Sequence, residues 1–165
     1  MTALFPPTRG GNEGCFWGYK GFGMTIHSLV DRQGKPLNMR LTAANIDEKS
    51  QVIPMLEGVK KHLKRVPKLL EADRGYDSEK LRFKLSWWLK IRTDIPKREY
   101  DIERRKTYRS INKSNGSMRW VVERTFAWLY KKFRRLTQRW ERKFDNFHAF
   151  LRAGFVKFWL DELVG

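Results

Sequence analysis

Two runs of alternating apolar residues, joined by a turn, constrain the fold of this chain more than any other feature. Phe22, Met24 and Ile26 alternate with Thr25 and His27, and Leu37, Met39, Leu41 and Ala43 alternate on the way back. A period of two marks a strand with one buried face, because successive side chains point to opposite sides of a sheet. Between the runs, Asp31-Arg32-Gln33-Gly34 supplies turn residues, and the glycine allows a positive φ. The segment from Tyr19 to Ala43 is therefore predicted to be an antiparallel hairpin.

Beyond the hairpin the period changes. Val52, Ile53, Leu56, Val59 and Leu63 recur at helical spacing, with Pro54 placed in the first turn, where its missing N–H is tolerated. Lys68 to Asp73 reads as a short apolar strand running into Arg74-Gly75-Tyr76. Asp77 or Ser78 caps the next helix, whose Leu81, Leu85, Trp88 and Leu89 are assigned to the core. Ile91 to Ile95 is a further strand, stopped by Pro96. Residues 97–116 are polar and aperiodic, a mobile loop. Ser117 then caps a long basic helix, and Asp145 caps a last one carrying Phe147, Phe150, Leu151, Phe158 and Trp159. Residues 1–18, rich in Gly and Pro, read as a loop remnant with at most a stub of strand at Ala3 to Phe5. Strands alternating with helices after a hairpin predict an α/β fold, a mixed sheet flanked by helices, in one domain over 1–165 that ends in a helical tail from 117.

Charge narrows the partners. With 35 Lys or Arg against 18 Asp or Glu, the net charge is +17. Such a field favours nucleic acid or an anionic membrane surface and says nothing about fold. No apolar stretch approaches the ~20 residues that span a bilayer. Met1 to Gly14 has neither a basic leader nor an apolar signal core. Cys15 is the only cysteine, so an intrachain disulfide and a cysteine-based zinc site are both excluded. His27, His62 and His148 show no metal-ligand spacing. A cytoplasmic protein that associates with nucleic acid, and no membrane, is the expectation.

The positive charge is concentrated. From Tyr100 to Lys143 there are 14 Lys or Arg and 4 Asp or Glu, a net +10. Residues 119–136 read as one cationic helix containing a single acid, Glu123. Arg119, four residues earlier, would make an ordinary surface ion pair with it, worth ~0.3–0.5 kcal/mol. Trp120, Val122, Phe126 and Ala127 around Glu123 argue instead for a partly inward face, and an inward acid needs a partner such as a divalent cation. A solvated face usually mixes signs, yet no acid lies between Arg124 and Arg139. Arg124, Lys131, Lys132, Arg134, Arg135 and Arg139 are therefore the candidate phosphate contacts. Trp128, Tyr130 and Trp140 could stack on unpaired bases, although core packing suits Trp128 better. Asp73 is the second isolated acid, placed where a strand delivers its last residue into a loop, a position where functional groups gather in open α/β sheets. A turn or cap role is the more ordinary explanation of an aspartate at that place. Asp31 belongs to the hairpin turn and Asp77 to a cap.

These residues, taken in order, resemble a known family. Residues 18–31, 34–45, 69–77 (Leu-Leu-Glu-Ala-Asp-Arg-Gly-Tyr-Asp), 95–98 and 122–129 (Val-Glu-Arg-Thr-Phe-Ala-Trp-Leu) resemble the bacterial insertion-sequence transposases of the DDE type. Arg-Arg-Leu at 134–136 and Arg-Trp-Glu-Arg at 139–142 follow in family order. The resemblance implies a ribonuclease H-like catalytic domain, with Asp73 as the second catalytic aspartate, Glu123 as the catalytic glutamate and Arg119 as its accessory arginine. Two accessory positions depart from the pattern: Gly116 where many relatives carry Tyr, and Tyr130 where Lys is usual, with Lys131 one residue later.

By the same resemblance the cofactor is Mg2+, with Mn2+ as substitute, held by Asp73 and Glu123. The partners are DNA, as transposon ends and target, with room for a homo-oligomer. The family's first aspartate precedes a motif that Phe5-Pro6-Pro7 resembles, which sets it at or before Met1. The expectation is a chain lacking most of the first central strand and catalytically silent by itself, while still binding DNA. Two alternatives stay open: an inactive nucleic-acid-binding remnant that competes for transposon ends, and a downstream product fused to an upstream reading frame that supplies the missing acid.

Overall fold

The predicted hairpin is present as β3 (Gly21–Val30) and β4 (Pro36–Ala43), antiparallel, with Ile26 opposite Leu41 and Thr25 opposite Thr42. Two short strands also pair with β3. β1 (Thr2–Phe5) pairs antiparallel with Met24 to His27, and β2 (Phe16–Gly18) pairs with Gly21 to Gly23. The stub expected at Ala3 to Phe5 is therefore a strand, whereas Phe16–Gly18, assigned to a loop, pairs as well. Its three residues are too few to display a period. The computed structural model describes residues 2–5, 13–97, 119–137 and 139–164. The expected loop at 97–116, apart from Lys97, and the Ser117 cap lie outside these residues.

The chain divides into two units, Thr2–Asp47 with Val121–Gly165, and Glu48–Trp120. In the first, helices α3 (Arg119–Lys132), α4 (Arg134–Thr137) and α5 (Phe144–Val164) accompany the four-stranded sheet. Met24, Ile26 and Leu41 from the sheet form one core with Phe126, Leu129, Leu136, Phe147 and Leu151. β3 departs from the prediction of a single buried face, because Thr25, His27 and Ser28 are buried too. His27 Nε2 lies 2.7 Å from Thr42 Oγ1, a hydrogen bond of the kind that makes a polar face tolerable inside.

The single basic helix expected over 119–136 is interrupted at Phe133. Phe133 packs against the core and sets its ring edge-on to Trp128, while the Thr137 hydroxyl donates to the Tyr130 carbonyl at 3.1 Å, satisfying one orphan acceptor of the ending helix. Helix α5 approaches closely at Gly154, where a Cβ would meet Leu129 and Leu136 methyls at 3.2 Å. Asp145, predicted as its cap, lies inside the first turn, where a carboxylate still favours the helix dipole.

The other unit contains α1 (Val52–Leu63), β5 (Leu69–Glu71), α2 (Glu79–Trp87) and β6 (Arg92–Asp94). β5 and β6 are parallel, with Leu70 opposite Thr93, and α2 lies between them in sequence, giving a β-α-β unit. Among the described residues, parallel and antiparallel pairing thus occur in two separate sheets rather than in one mixed sheet. Met55, Leu56, Val59, Leu70, Leu81, Leu85, Leu89 and Ile91 are buried. Pro54 stands in the first turn of α1, as its chemistry requires. Ser78, not Asp77, caps α2 by accepting from the Leu81 amide. Asp77 instead pairs with Arg82 at 2.7 Å, and Arg82 also donates to the Ile95 carbonyl. Trp88, assigned to the core, is 63% exposed.

Candidate catalytic carboxylates and nucleic-acid interface

Asp73 stands two residues beyond β5, with extended backbone, and opens the tight turn Arg74–Tyr76. Its Oδ1 accepts from the Gly75 amide, and its carbonyl accepts from the Tyr76 amide at 3.0 Å. The buried Tyr76 ring fixes this turn to the body of its unit, and the Ala72 amide reaches the Asp94 carbonyl at 3.3 Å. The side chain therefore caps its own turn, yet the residue is exposed, and the second carboxylate oxygen is not engaged by that cap. Both readings of Asp73 from the sequence, strand-end acid and turn cap, describe the same geometry.

Glu123 lies on the outer side of α3. The inner row is Val121, Thr125 and Leu129, joined by Phe126, all buried. At 3.6 residues per turn, a residue two beyond Val121 is rotated by about 200°. Glu123 is accordingly exposed, as are Trp120 and Ala127. The expectation of a partly inward Glu123 is corrected: an outward carboxylate needs no buried partner. Arg119 begins α3, and its side chain lies outside the described residues. Asp73 and Glu123 belong to different units, and among the described residues no three His, Cys, Asp or Glu side chains come together as a metal group.

The helix is clamped to the hairpin turn from outside and inside. Thr125 donates its hydroxyl to the Gly34 carbonyl at 2.6 Å, and Arg124 donates to the Gln33 carbonyl. The turn itself is ordered by Asp31, whose Oδ1 accepts from the amides of Gln33 and Lys35 at 2.9 and 2.8 Å, as its sequence predicts. Gly34 has φ +88°, the left-handed conformation that glycine adopts without strain.

The six candidate phosphate contacts separate into three kinds. Lys131 and Arg134 are exposed and enter no ion pair among the described residues. Arg124, Lys132 and Arg135 are exposed but engaged: Arg124 at the turn, Lys132 with Asp161 at 3.3 Å, and Arg135 with Glu141 at 2.9 Å. Hydrogen bonds from Lys157 and Lys132 hold the Asp161 carboxyl below the usual carboxylate range. Arg139 differs from all of these, being 1% exposed.

Its guanidinium donates to the Glu141 and Arg142 carbonyls at 2.8 and 3.0 Å, contacts Cys15 Sγ at 3.2 Å, and lies over the Phe147 ring. Such a group ties residues 139–142 to the sheet and does not reach a phosphate. Its expected role in binding is corrected on that ground. Trp128 packs edge-on against Phe158 with centroids 4.5 Å apart, the core role that suited it, while Trp140 is about half exposed.

Residues 7–156 match the family model described as the transposase DDE domain. The chain belongs to the DDE transposase family. Over 142 residues it is 37% identical to the "Putative transposase for insertion sequence element IS402" of Burkholderia cepacia, an alignment that covers 80% of this chain and 60% of that protein. The chain thus spans about 60% of the length of that curated relative. No solved structure matches the chain significantly. No helix among the described residues is long and apolar enough to cross a membrane.

Proposed function

We propose that this DDE transposase chain binds DNA through the outer face of α3 and α4, and contributes Asp73 and Glu123 to the catalytic carboxylates of transposition. The observation that carries this reading is the exposed Glu123 on a helix whose other outward charges, Arg124, Lys131 and Lys132, are all positive. An acid placed in a field that attracts phosphate suits a reaction in which a metal ion must meet a phosphodiester. The accessible Asp73 at the end of β5 supports the same assignment from the other unit. The antiparallel run β1–β3–β4, with a parallel β5–β6 pair, supports a ribonuclease H-like arrangement.

Mg2+ or Mn2+ takes carboxylate oxygens by preference, so Asp73 and Glu123 fit as ligands in kind. When bound, such ions would activate a water or a 3′-hydroxyl and stabilise the leaving oxygen of an in-line displacement. Two side chains supply only part of the oxygen set that a metal pair takes. The chain's own contributions are phosphate contact by Lys131 and Arg134, with Arg124, Lys132 and Arg135 beside them, and placement of two acids at ordered positions. Cleavage by the chain alone is proposed to be weak, with a further acid needed for full activity.

Mn2+ binding, followed by loss of the free-ion EPR signal, tests the carboxylate assignment without reference to activity. Asp73→Asn and Glu123→Gln should each lower the Mn2+ bound, while circular dichroism stays unchanged. Equal binding by both variants and the parent would overturn the assignment.

A further inference from the structure

The outward side of α2 carries aromatic side chains that the proposed interface on α3 and α4 does not use. Phe83, Trp87 and Trp88 are 64%, 77% and 63% exposed. Large apolar groups in such a cluster are uncommon on a soluble surface unless something binds there. Phe83 and Trp87, four residues apart on one helical face, hold their rings nearly parallel, at 7°, with centroids 6.0 Å apart. With Lys84 and Trp88 they line a surface cleft of about 390 Å3.

The charge around the rings decides what kind of occupant suits the cleft. Lys80, Lys84, Lys90 and Arg92 are all exposed on α2 or just after it. Glu79 is the only acid between Ser78 and Arg92, and Arg82 is already neutralised by Asp77. A protein surface would meet the apolar rings equally well but would have to bring acids to the lysines. Unpaired nucleotides bring both parts at once: a flat base for the ring faces and a phosphate for the neighbouring cation.

We propose that Phe83, Trp87 and Trp88, with Lys80, Lys84 and Lys90, form a stacking platform for unpaired bases of a DNA strand. The inference rests on the reading that the chain acts on DNA, and it adds a preference that a phosphate-binding helix alone would not give. Removal of both indoles takes away the faces on which a base stacks, so it should weaken single-strand binding by roughly 10- to 100-fold.

The test measures affinity of the full chain for oligo(dT) and for a blunt duplex of equal length, by fluorescence anisotropy at fixed salt. Trp87→Ala with Trp88→Ala should weaken oligo(dT) binding by at least tenfold and change duplex binding by less than twofold. Trp87→Phe with Trp88→Phe should restore most of the single-strand affinity, because the ring faces return. Both indoles lie at the surface, so the alanine pair should keep the parent's circular dichroism and melting midpoint. Duplex binding that is salt-sensitive, with oligo(dT) binding untouched by the alanine pair, overturns the platform and leaves the DNA reading intact. Failure to bind either DNA overturns the reading beneath it. A dimer in sedimentation that the alanine pair dissociates would assign the face to a second copy of the chain and would likewise overturn the platform.

Discussion

Replacing Arg139 by alanine separates a structural cation from a phosphate contact. In the folded chain the guanidinium donates to the Glu141 and Arg142 carbonyls and touches Cys15 and Met24 sulfurs, at 1% exposure. Alanine would leave two carbonyls without this donor and a void beneath Phe147. Hydrogen bonds to charged groups contribute ~1.5–3 kcal/mol each, so the pair predicts a loss of about 3–6 kcal/mol. For a chain of this length, a loss of that size lowers the melting midpoint by roughly 6–24 °C. Lys131→Ala, at an exposed position, should move stability by no more than about 0.5 kcal/mol. Urea denaturation followed by tryptophan fluorescence, together with a thermal melt, measures both variants. An Arg139→Ala midpoint within about 2 °C of the parent, accompanied by weaker DNA binding, would refute the buried role and restore the surface one.

Two further outcomes follow from local geometry. Gly18→Ala places a Cβ inside the van der Waals radius of the Ala44 carbonyl, and backbone cannot yield as a side-chain tip can. Overpacking of this kind costs ~1–3 kcal/mol, read as a lower urea midpoint, and an unchanged midpoint would contradict the close approach. His148 has its pKa held below 6.5 first by burial, then by Arg152 and Arg40, against an opposing pull from Asp145. The unfolded chain therefore takes up this proton first, so the contribution of neutral His148 is complete above pH ~6.5 and fades as pH falls through the lower folded value. His148→Gln should flatten the loss of stability between pH 7 and pH 5, and parallel pH profiles for the two proteins would exclude the effect.

What could be read from the sequence followed the strength of the local pattern. The hairpin was legible because seven alternating apolar positions and the Asp31–Gly34 turn point to one register. β5 was legible as an apolar run and β6 as the short stretch between Ile91 and Ile95 that Pro96 ends, and Asp73 as the acid at the end of the first. Four things were not. β2 has three residues and one partner, so its pairing is decided by the neighbouring Gly21 to Gly23 and not by its own composition. Trp87 and Trp88 are adjacent on a nine-residue helix whose core needs are met by Leu81 and Leu85, with Leu89 just beyond it, and hydrophobicity alone assigned Trp88 to the wrong side.

Arg139 is the hardest case. A basic residue in a basic segment reads as surface, and its burial depends on a fold-back that turns the Glu141 and Arg142 carbonyls toward its own side chain. Glu123 failed for a related reason: its apolar neighbours belong to the helix but point elsewhere.

The central claim is that the outward cations of α3 and α4 hold DNA phosphates. The salt dependence of duplex binding, taken as log affinity against log salt, tests it most directly. Each phosphate contact contributes roughly −0.9 to the slope, so the five exposed cations predict a slope of about −4.5. Lys131→Ala with Arg134→Ala should make it shallower by about 1.8. A slope near zero in the parent chain, or one indifferent to that pair of substitutions, would contradict the account.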